Sequence, residues 1–408
     1  MAPLEIDVDP REAGLDSGAL ERAAHYLNDY VDGGRLAGWL VTVSREGQLA
    51  WVGRGGYRDR EAQLPVLDDT IWRLYSMTKP ITSIAAMMLY ESGAFDLNDD
   101  VGQWIPQLRE PRVYVSGPAS DPETMPSPGP VRVHHLLTHT SGLTYGFQHR
   151  TPVDAMYRER GYDMFWPEAT SLDDAVGDWC SLPLLFAPGH AWNYSVATDV
   201  LGRLIEIWYG QSLDAFIGAR ILEPLGMTDT TWWAREDQIE RLAALYLHDG
   251  TATRSDDLGA VATRATRLLS GGGGLLSSAA DYQRFMSMLL GSGSANGVRL
   301  ISSRTFDLMA SNHLPGDRDL ASFARDSFSE VGQSGVGFGL GFSVVQDQLR
   351  NRSLVSPGTI AWGGAASTYF WVDRAASLAV GLYTQLLPSW TYPLRRDLQQ
   401  LVYASLVS

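Results

Sequence analysis

Apolar segments of strand length lie near both ends of the chain. Residues 40–43 and 49–52 are apolar-rich and are separated by a short turn that contains Gly47, which predicts a β-hairpin. From Phe338 onward the pattern again favours strands, and it predicts a meander over residues 342–345, 359–362, 367–372 and 378–384. Strands at both ends of a chain with helices between them indicate one sheet built from distant segments.

The pattern changes to helical spacing directly after Ser76. Apolar residues at positions 81, 84, 85, 88 and 89 recur at helical spacing, Pro80 suits the first turn, and Gly93 ends the helix. Residues 106–130 are rich in Pro, Gly and Ser and predict a long surface loop. Further helices are predicted over residues 175–179, 199–208, 213–222, 279–290 and, as an amphipathic C-terminal helix, 394–406.

These elements predict an α/β protein of the α+β type. An antiparallel sheet is flanked by helices from the N- and C-terminal parts of the chain, and a mainly helical domain is inserted between the strands. At 408 residues the chain exceeds the length at which a single core usually stops growing. We therefore expect an α/β domain made of residues 1–75 and 260–408, a mainly helical domain of residues 76–259, and an active site in the cleft between them.

Composition narrows the partners and the compartment. The formal net charge is −15, so nucleic acid and anionic membrane surfaces would be repelled. Cys180 is the only cysteine, which excludes an intrachain disulfide and is compatible with a reducing compartment. The first residues do not resemble a secretory signal, and the longest apolar stretch, residues 81–90, is far shorter than the ~20 residues that span a bilayer. We therefore expect a soluble cytoplasmic protein without a nucleic-acid or membrane partner.

Lysine usage points to one position. Of the 32 Lys and Arg residues, 31 are arginine and only Lys79 is lysine. Ser76 stands three residues before it, so the two side chains share one face of the predicted helix. A serine hydroxyl becomes a good nucleophile when a base removes its proton, and a lysine is such a base where its surroundings lower its pKa from about 10.4. The alternative is that one lysine remained by chance.

Tyr194 is the candidate for a third catalytic group. A leaving group must be protonated, and a Ser-Lys pair offers only one proton shuttle. Tyr194 follows the turn Pro188-Gly189 and precedes a predicted helix, and its phenol would share a proton with Lys79 as a coupled pair. From the residues alone, an ordinary core or surface position for this tyrosine, one of 17, is the stronger interpretation.

Other patterns suggest different chemistry and are weaker. His135 and His139 have the i, i+4 spacing of a zinc-binding helix but lack the adjacent glutamate, and residues 138–142 fit a turn better than a metal site. The glycine run 271–274 lacks the following lysine of a phosphate-binding loop and favours close backbone approach near a cleft. No G-x-S-x-G motif is present, which argues against an α/β-hydrolase nucleophile. Candidate walls of an apolar acyl pocket are Trp232, Trp233, Trp362 and Trp390.

Five motifs occur in the order found in the serine β-lactamase-like hydrolases. They are Ser76-x-x-Lys79, the segment LLTHTSGL over residues 136–143, Tyr194-Ser195, the glycine run followed by Ser277 and Asp281, and Trp362-Gly363-Gly364. Over about residues 15–400 the chain resembles the family VIII carboxylesterases, which are similar to class C β-lactamases and D-amino-acid-releasing peptidases. The resemblance implies a fold like that of β-lactamases and penicillin-binding proteins.

The resemblance also implies a role for each motif. Ser76 is the acylated nucleophile, Lys79 is its base partner, and Tyr194 is the proton relay. The oxyanion hole is formed by the backbone N–H groups of Ser76 and Ala365. No metal or cofactor is implied. The expected substrate-binding residues are Trp362, Gly363, Gly364 and Tyr145.

Two departures from the β-lactamase pattern bear on the substrate. Val196 stands where the tyrosine motif ends in asparagine, and Trp362-Gly363-Gly364 stands where the strand motif reads Lys-Thr-Gly. The cation that would hold a β-lactam carboxylate is therefore absent from that motif. We expect a serine carboxylesterase that hydrolyses small short-acyl esters through an acyl-enzyme. The alternatives are an acyltransferase with the same acyl-enzyme, a weak β-lactamase or D-amino-acid peptidase, and a non-catalytic binding protein with the same fold.

Overall fold

An antiparallel sheet of eight strands forms the centre of the molecule. The computed structural model describes residues 4–164, 166–167, 169–325 and 332–407. The strands within this part of the chain are β1 (Gly38–Arg45), β2 (Gln48–Asp59), β3 (Leu64–Pro65), β4 (Ile71–Arg73), β5 (Arg112–Ser116), β6 (Glu123–Pro126), β7 (Tyr246–Asp249), β8 (Thr251–Arg254), β9 (Leu276–Ser278), β10 (Ser294–Ala295), β11 (Val298–Arg299), β12 (Val336–Phe338), β13 (Ser343–Val345), β14 (Ile360–Gly363), β15 (Tyr369–Asp373), β16 (Leu378–Tyr383) and β17 (Leu386–Leu387).

The two ends of the chain meet in the middle of this sheet. Its order is β12-β13-β14-β15-β16-β1-β2-β3, and β1 pairs antiparallel with β16 so that Leu40 lies opposite Tyr383. The predicted sheet of distant segments is therefore confirmed. Strands β15 and β16 are buried at every position. Because alternate residues of a strand face opposite sides of the sheet, both faces of the sheet centre are covered.

Helices supply this cover and the rest of the molecule. Helices α1 and α14 pack together, and the Tyr26 hydroxyl on the first donates to Asp397 on the second at 2.9 Å. Helix α10 packs against β16, β15 and β1. The helices are α1 (Ser17–Asp32), α2 (Thr78–Glu91), α3 (Val133–Leu137), α4 (Pro152–Glu159), α5 (Leu172–Cys180), α6 (Ala197–Tyr209), α7 (Leu213–Ile217), α8 (Glu223–Leu225), α9 (Asp256–Ala260), α10 (Ala279–Leu290), α11 (Ser303–Met309), α12 (Leu320–Phe323), α13 (Gln348–Asn351) and α14 (Leu394–Tyr403).

Helix α2 carries the predicted catalytic pair into the interior. A 3₁₀ turn over Tyr75–Met77 precedes it, and nearly all of its residues down to Leu89 are buried. It packs against α6 and α7, which explains why its apolar residues are not confined to one stripe. Sequence order and spacing therefore predict this helix correctly, and the α+β architecture is confirmed.

One local prediction is wrong. Residues 106–130 do not form one long loop, because β5 and β6 pair as an antiparallel hairpin on the surface. Backbone hydrogen bonds between β5 and Leu184, which lies about 70 residues away, hold this hairpin to the body of the protein. The predicted helix over residues 213–222 is helical throughout, as α7 followed directly by a π-helical turn, Gly218–Leu222.

Two further predictions concern larger-scale organisation. No helix in the described ranges is long and apolar enough to cross a membrane. The division into an α/β domain of residues 1–75 and 260–408 and a helical domain of residues 76–259 stays a prediction.

Candidate active site

Ser76 and Lys79 meet at the start of α2. One helical turn separates them, and Lys79 Nζ lies 3.3 Å from Ser76 Oγ. Lys79 is 1% exposed and Ser76 is 9% exposed, so the amine is removed from water while the hydroxyl borders the surface of a cavity. The spacing predicted from the sequence therefore brings a hydroxyl and an amine within reach of a proton transfer.

The Lys79 amine is held from three further sides. Nζ donates to the carbonyl oxygen of Gly272 at 2.7 Å and to the Tyr145 hydroxyl at 3.0 Å. It also lies 4.5 Å from the ring centroid of Tyr194, over the face of the ring. These contacts fix the amine beside Ser76. Tyr145, which the sequence places only as a possible cleft residue, is thus a direct partner of the lysine.

Tyr194 is buried between aromatic side chains next to the pair. Its ring centroid lies 5.0 Å from that of His139 and 5.5 Å from that of Trp362. Trp362 Nε1 donates to the Tyr194 hydroxyl at 3.4 Å. The phenol is therefore oriented by an indole donor on one side while its ring faces the Lys79 amine on the other.

Asp199 is the buried acid that the sequence reasoning did not single out. Its Oδ1 accepts hydrogen bonds from Ser270 Oγ at 2.6 Å and from the backbone N–H of Gly272 at 2.9 Å. Burial raises the pKa of this carboxyl, and the positive charge of Lys79 opposes that rise. The carbonyl of Gly272 also accepts from Lys79 Nζ, so Asp199 positions the glycine that in turn positions the lysine amine. No distinctive local signal marks it, because acids are common in the first turn of a helix.

We expect Asp199→Asn to move the pH dependence of activity. The amide oxygen still accepts from Gly272, but the lost negative charge disfavours the ammonium form of Lys79. The acidic limb of the kcat/KM profile should therefore shift to lower pH, by about one pH unit. A pH series of initial rates with Asp199→Asn and the wild type measures this shift. An unchanged limb together with a uniform loss of rate would show a role in packing only.

The segment that follows strand β14 passes close to the turn that carries Ser76. A Cβ added to Gly364 would lie 2.2 Å from the carbonyl oxygen of Leu74, so only glycine permits this approach. Thr368 Oγ1 donates to the same carbonyl at 3.2 Å. The chain after β14 thus passes against the turn that carries Ser76, and both Ser76 and Ala365 face the cavity.

The Trp-Gly-Gly motif lies behind the cavity wall. Trp362 is fully buried against Tyr194, and neither it nor the two glycines lines the cavity. A Cβ at Gly363 would meet the Arg395 guanidinium at 2.5 Å, and Arg395 donates to the Gly364 carbonyl at 2.7 Å. The structure therefore places these three residues in support of Tyr194 and of Ala365, and it places Tyr145 at the cavity itself.

The cavity beside Ser76 has a volume of about 420 Å³. Ser76, Tyr145 and Tyr194 share its wall, so the candidate nucleophile opens into it. Trp232 and Trp390 line it as predicted, whereas Trp233 and Trp362 do not. Other apolar lining residues are Phe147, Met164, Trp166, Leu258, Leu268 and Leu387.

The two histidines of the rejected zinc pattern have local partners. His139 is buried, and its Nδ1 lies 3.1 Å from Ser195 Oγ. His135 Nδ1 accepts from the Arg132 backbone N–H at 3.1 Å, which caps the start of α3. Burial lowers the pKa of His135 to about 4 and holds the pKa of His139 well below its usual value, so both rings are neutral at neutral pH. His139 thereby serves as a packing partner of Tyr194.

Comparison with known proteins agrees with this geometry. The model of the Beta-lactamase family matches residues 23–404. Esterase EstB of Burkholderia gladioli is 32% identical over 423 aligned positions, which cover 97% of this chain and 98% of that protein. A monacolin J acid methylbutanoyltransferase of Aspergillus terreus is 30% identical over 361 positions, covering 84% of this chain and 83% of that protein. The structure of simvastatin synthase (LovD) from Aspergillus terreus has a TM-score of 0.79 at 25% identity and covers 95% and 98% of the two chains.

These comparisons show the family and the fold of the chain. The protein is a serine hydrolase with the fold of β-lactamases and penicillin-binding proteins. The chain belongs to the Beta-lactamase family, as its motifs predict. Its relatives include both esterases and acyltransferases of small molecules.

Proposed function

We propose that this protein is a carboxylesterase of the family VIII type that works through an acyl-enzyme on Ser76. The observation that carries the proposal is the contact between Ser76 Oγ and the buried Lys79 amine at the wall of an apolar cavity. Most of the cavity lining is apolar and favours an ester with apolar groups, while Arg73 and Arg264 also lie in the wall.

Acylation begins when Ser76 Oγ attacks the ester carbonyl and passes its proton to Lys79 Nζ. The carbonyl oxygen takes the negative charge and accepts from the N–H groups of Ser76 and Ala365. The C–O bond to the alcohol then breaks, and the leaving oxygen takes a proton from the coupled Tyr194 and Lys79. Tyr145 keeps the amine in place through its hydrogen bond.

Deacylation reverses these steps with another acceptor. Water gives a proton to the same pair and attacks the acyl carbon. The bond between that carbon and Ser76 Oγ then breaks, the acid leaves, and Oγ takes the proton back from the pair. An alcohol in place of water gives acyl transfer. Transfer is the second candidate function, because the apolar cavity can bind an acceptor alcohol and because one relative is a methylbutanoyltransferase.

The absent cation bears on β-lactams. The Trp-Gly-Gly motif has no lysine, and Trp362 is buried away from the cavity. We therefore propose weak β-lactam hydrolysis at most.

We also propose a cytoplasmic location, because a chain with a single cysteine suits a reducing compartment.

The test is hydrolysis of p-nitrophenyl butyrate with and without an added alcohol, beside a chromogenic cephalosporin. We expect fast release of p-nitrophenol and a much slower cephalosporin signal. Product analysis separates the two functions, since a new ester that outcompetes butyric acid identifies an acyltransferase. A protein that binds the butyrate but releases no p-nitrophenol would contradict the proposal and favour a non-catalytic binding protein.

A further inference from the structure

Tyr75, the residue directly before the nucleophile, has an unusual backbone conformation. Its φ is +46°, in the left-handed region that suits glycine and disfavours a bulky side chain. Such conformations persist where the surroundings impose them, and they cluster at active sites and ligand-binding segments. The conformation therefore indicates that the tyrosine side chain has a role at this position.

The ring of Tyr75 forms part of the cavity wall. It packs against a cluster made of Leu245, Ala366 and Leu387, and it faces the cavity together with Ala365. This position is next to the proposed oxyanion hole. A phenylalanine would pack equally well in this cluster, so packing alone does not account for the hydroxyl.

The hydroxyl of Tyr75 makes no hydrogen bond within the described part of the chain. The charge of Arg73 acts on it, but burial outweighs that charge and raises the pKa of Tyr75, so the phenol keeps its proton at neutral pH. The Arg73 guanidinium has only donors, and it donates to Ala243, Gly259 and Gln385. The nearest cation thus offers no acceptor, and the O–H proton is available to a ligand.

The cavity is also larger than a short acyl group. Its volume is about 420 Å³. A volume of this size is in the range of pockets that hold drug-sized ligands. Hydrophobic surface of this extent favours a ligand with a bulky apolar portion.

We infer that Tyr75 determines specificity for bulky apolar esters that carry a hydrogen-bond acceptor oxygen away from the scissile bond. The ring bounds the space beside the oxyanion hole, and the hydroxyl donates to the acceptor, such as a ketone or an ether oxygen. This inference rests on the proposed esterase function and extends the expected short-acyl ester to a butyrate with a large alcohol portion.

The test is a panel of naphthyl butyrates with an acetyl group at each free ring position in turn. Each acetyl ester is matched by the isopropenyl ester of the same shape, which lacks the acceptor oxygen. In the wild type we expect one acetyl ester to exceed its partner about fivefold in kcat/KM, mainly through a lower KM. Tyr75→Phe should reduce that ratio to near one. Tyr209→Phe, which removes a phenol on α6 that is not among the residues lining the cavity, should keep it.

A second variant tests the ring. Tyr75→Gly accepts the positive φ without strain and opens the wall, so the ratio of kcat/KM for naphthyl butyrate to that for p-nitrophenyl acetate should rise. The inference is wrong if no position shows an acetyl preference or if the preference survives in Tyr75→Phe. Wild-type activity on p-nitrophenyl butyrate separates that failure from failure of the esterase proposal. An enzyme that cleaves none of these esters overturns both.

Discussion

Replacing Ser76 with alanine should abolish ester hydrolysis, with a fall in kcat of at least about 10⁴-fold. The substitution removes the atom that forms the acyl bond in the proposed mechanism. The fold should persist, because Lys79 keeps its hydrogen bonds to Gly272 and Tyr145. We expect a change in unfolding free energy of about 1 kcal/mol or less. Hydrolysis of p-nitrophenyl butyrate and thermal unfolding measure the two quantities.

Ser83→Ala is the matched control for this prediction. Ser83 lies on the same helix, is 1% exposed, and its Oγ has no hydrogen-bond partner among the residues described. The control therefore removes an equally buried hydroxyl without touching the site and should retain activity. A fluorophosphonate should label the wild type and Ser83→Ala at Ser76 and leave Ser76→Ala unlabelled. Ester hydrolysis that survives in Ser76→Ala would assign the chemistry to another group.

Local sequence spacing predicts the parts of the site that lie on one helix. Ser76 and Lys79 are three residues apart, so the geometry of a single turn brings them together wherever the helix packs. The unusual lysine usage adds a chemical reason to attend to that turn. The strand pattern at both ends likewise predicts the central sheet, because alternation and turn residues are local properties.

Contacts between distant segments of the chain cannot be predicted from local sequence patterns. Lys79 meets Tyr145 across 66 residues and Gly272 across 193. One acid among 47 has no local pattern that marks it, so Asp199 emerges only when α6 and the glycine run pack together. The resemblance already indicates Tyr145 as a cavity residue, but its contact with Lys79 appears only in the folded chain. The pairing of β5 with β6 is local, but the segment is rich in Pro, Gly and Ser, and the backbone bonds to Leu184 that hold it in place come from a remote segment.

The resemblance gives the order of the motifs along the chain, but it does not show which side chains face the cavity. It marks Trp362, Gly363 and Gly364 as substrate-binding residues, whereas in this chain the indole is fully buried and donates to Tyr194. The two glycines instead allow close packing against Arg395 and Leu74. The residue that does reach the cavity is the next one, Ala365. A motif therefore identifies a segment of the site, while packing decides which of its atoms face the substrate.

Replacing Lys79 with arginine should be nearly as damaging as loss of the nucleophile, lowering kcat by about 10³-fold. Arginine keeps the positive charge but cannot accept the Ser76 proton, because it stays protonated. Lys79→Met is the partner variant, since it keeps an unbranched chain and removes the charge as well as the base. Similar losses in both variants would identify proton transfer as the essential property. An arginine variant that keeps activity within about tenfold of the wild type would show that positive charge alone is enough.

Lys79→Met should also make stability depend on pH. Burial raises the pKa of Asp199, and the Lys79 ammonium and the hydrogen bonds from Ser270 and Gly272 oppose that rise. Loss of the ammonium leaves only the hydrogen bonds in opposition, so the carboxyl protonates more readily in the folded state. The folded protein then binds more protons than the unfolded chain between the two pKa values, and the free energy of unfolding falls as pH rises through that interval. The free energy of unfolding of the wild type should fall less over the same pH range. Urea unfolding of both proteins from mildly acidic to mildly alkaline pH measures the difference, and Lys79→Met with Asp199→Asn should remove it, because no titrating carboxyl remains beside the glycine run.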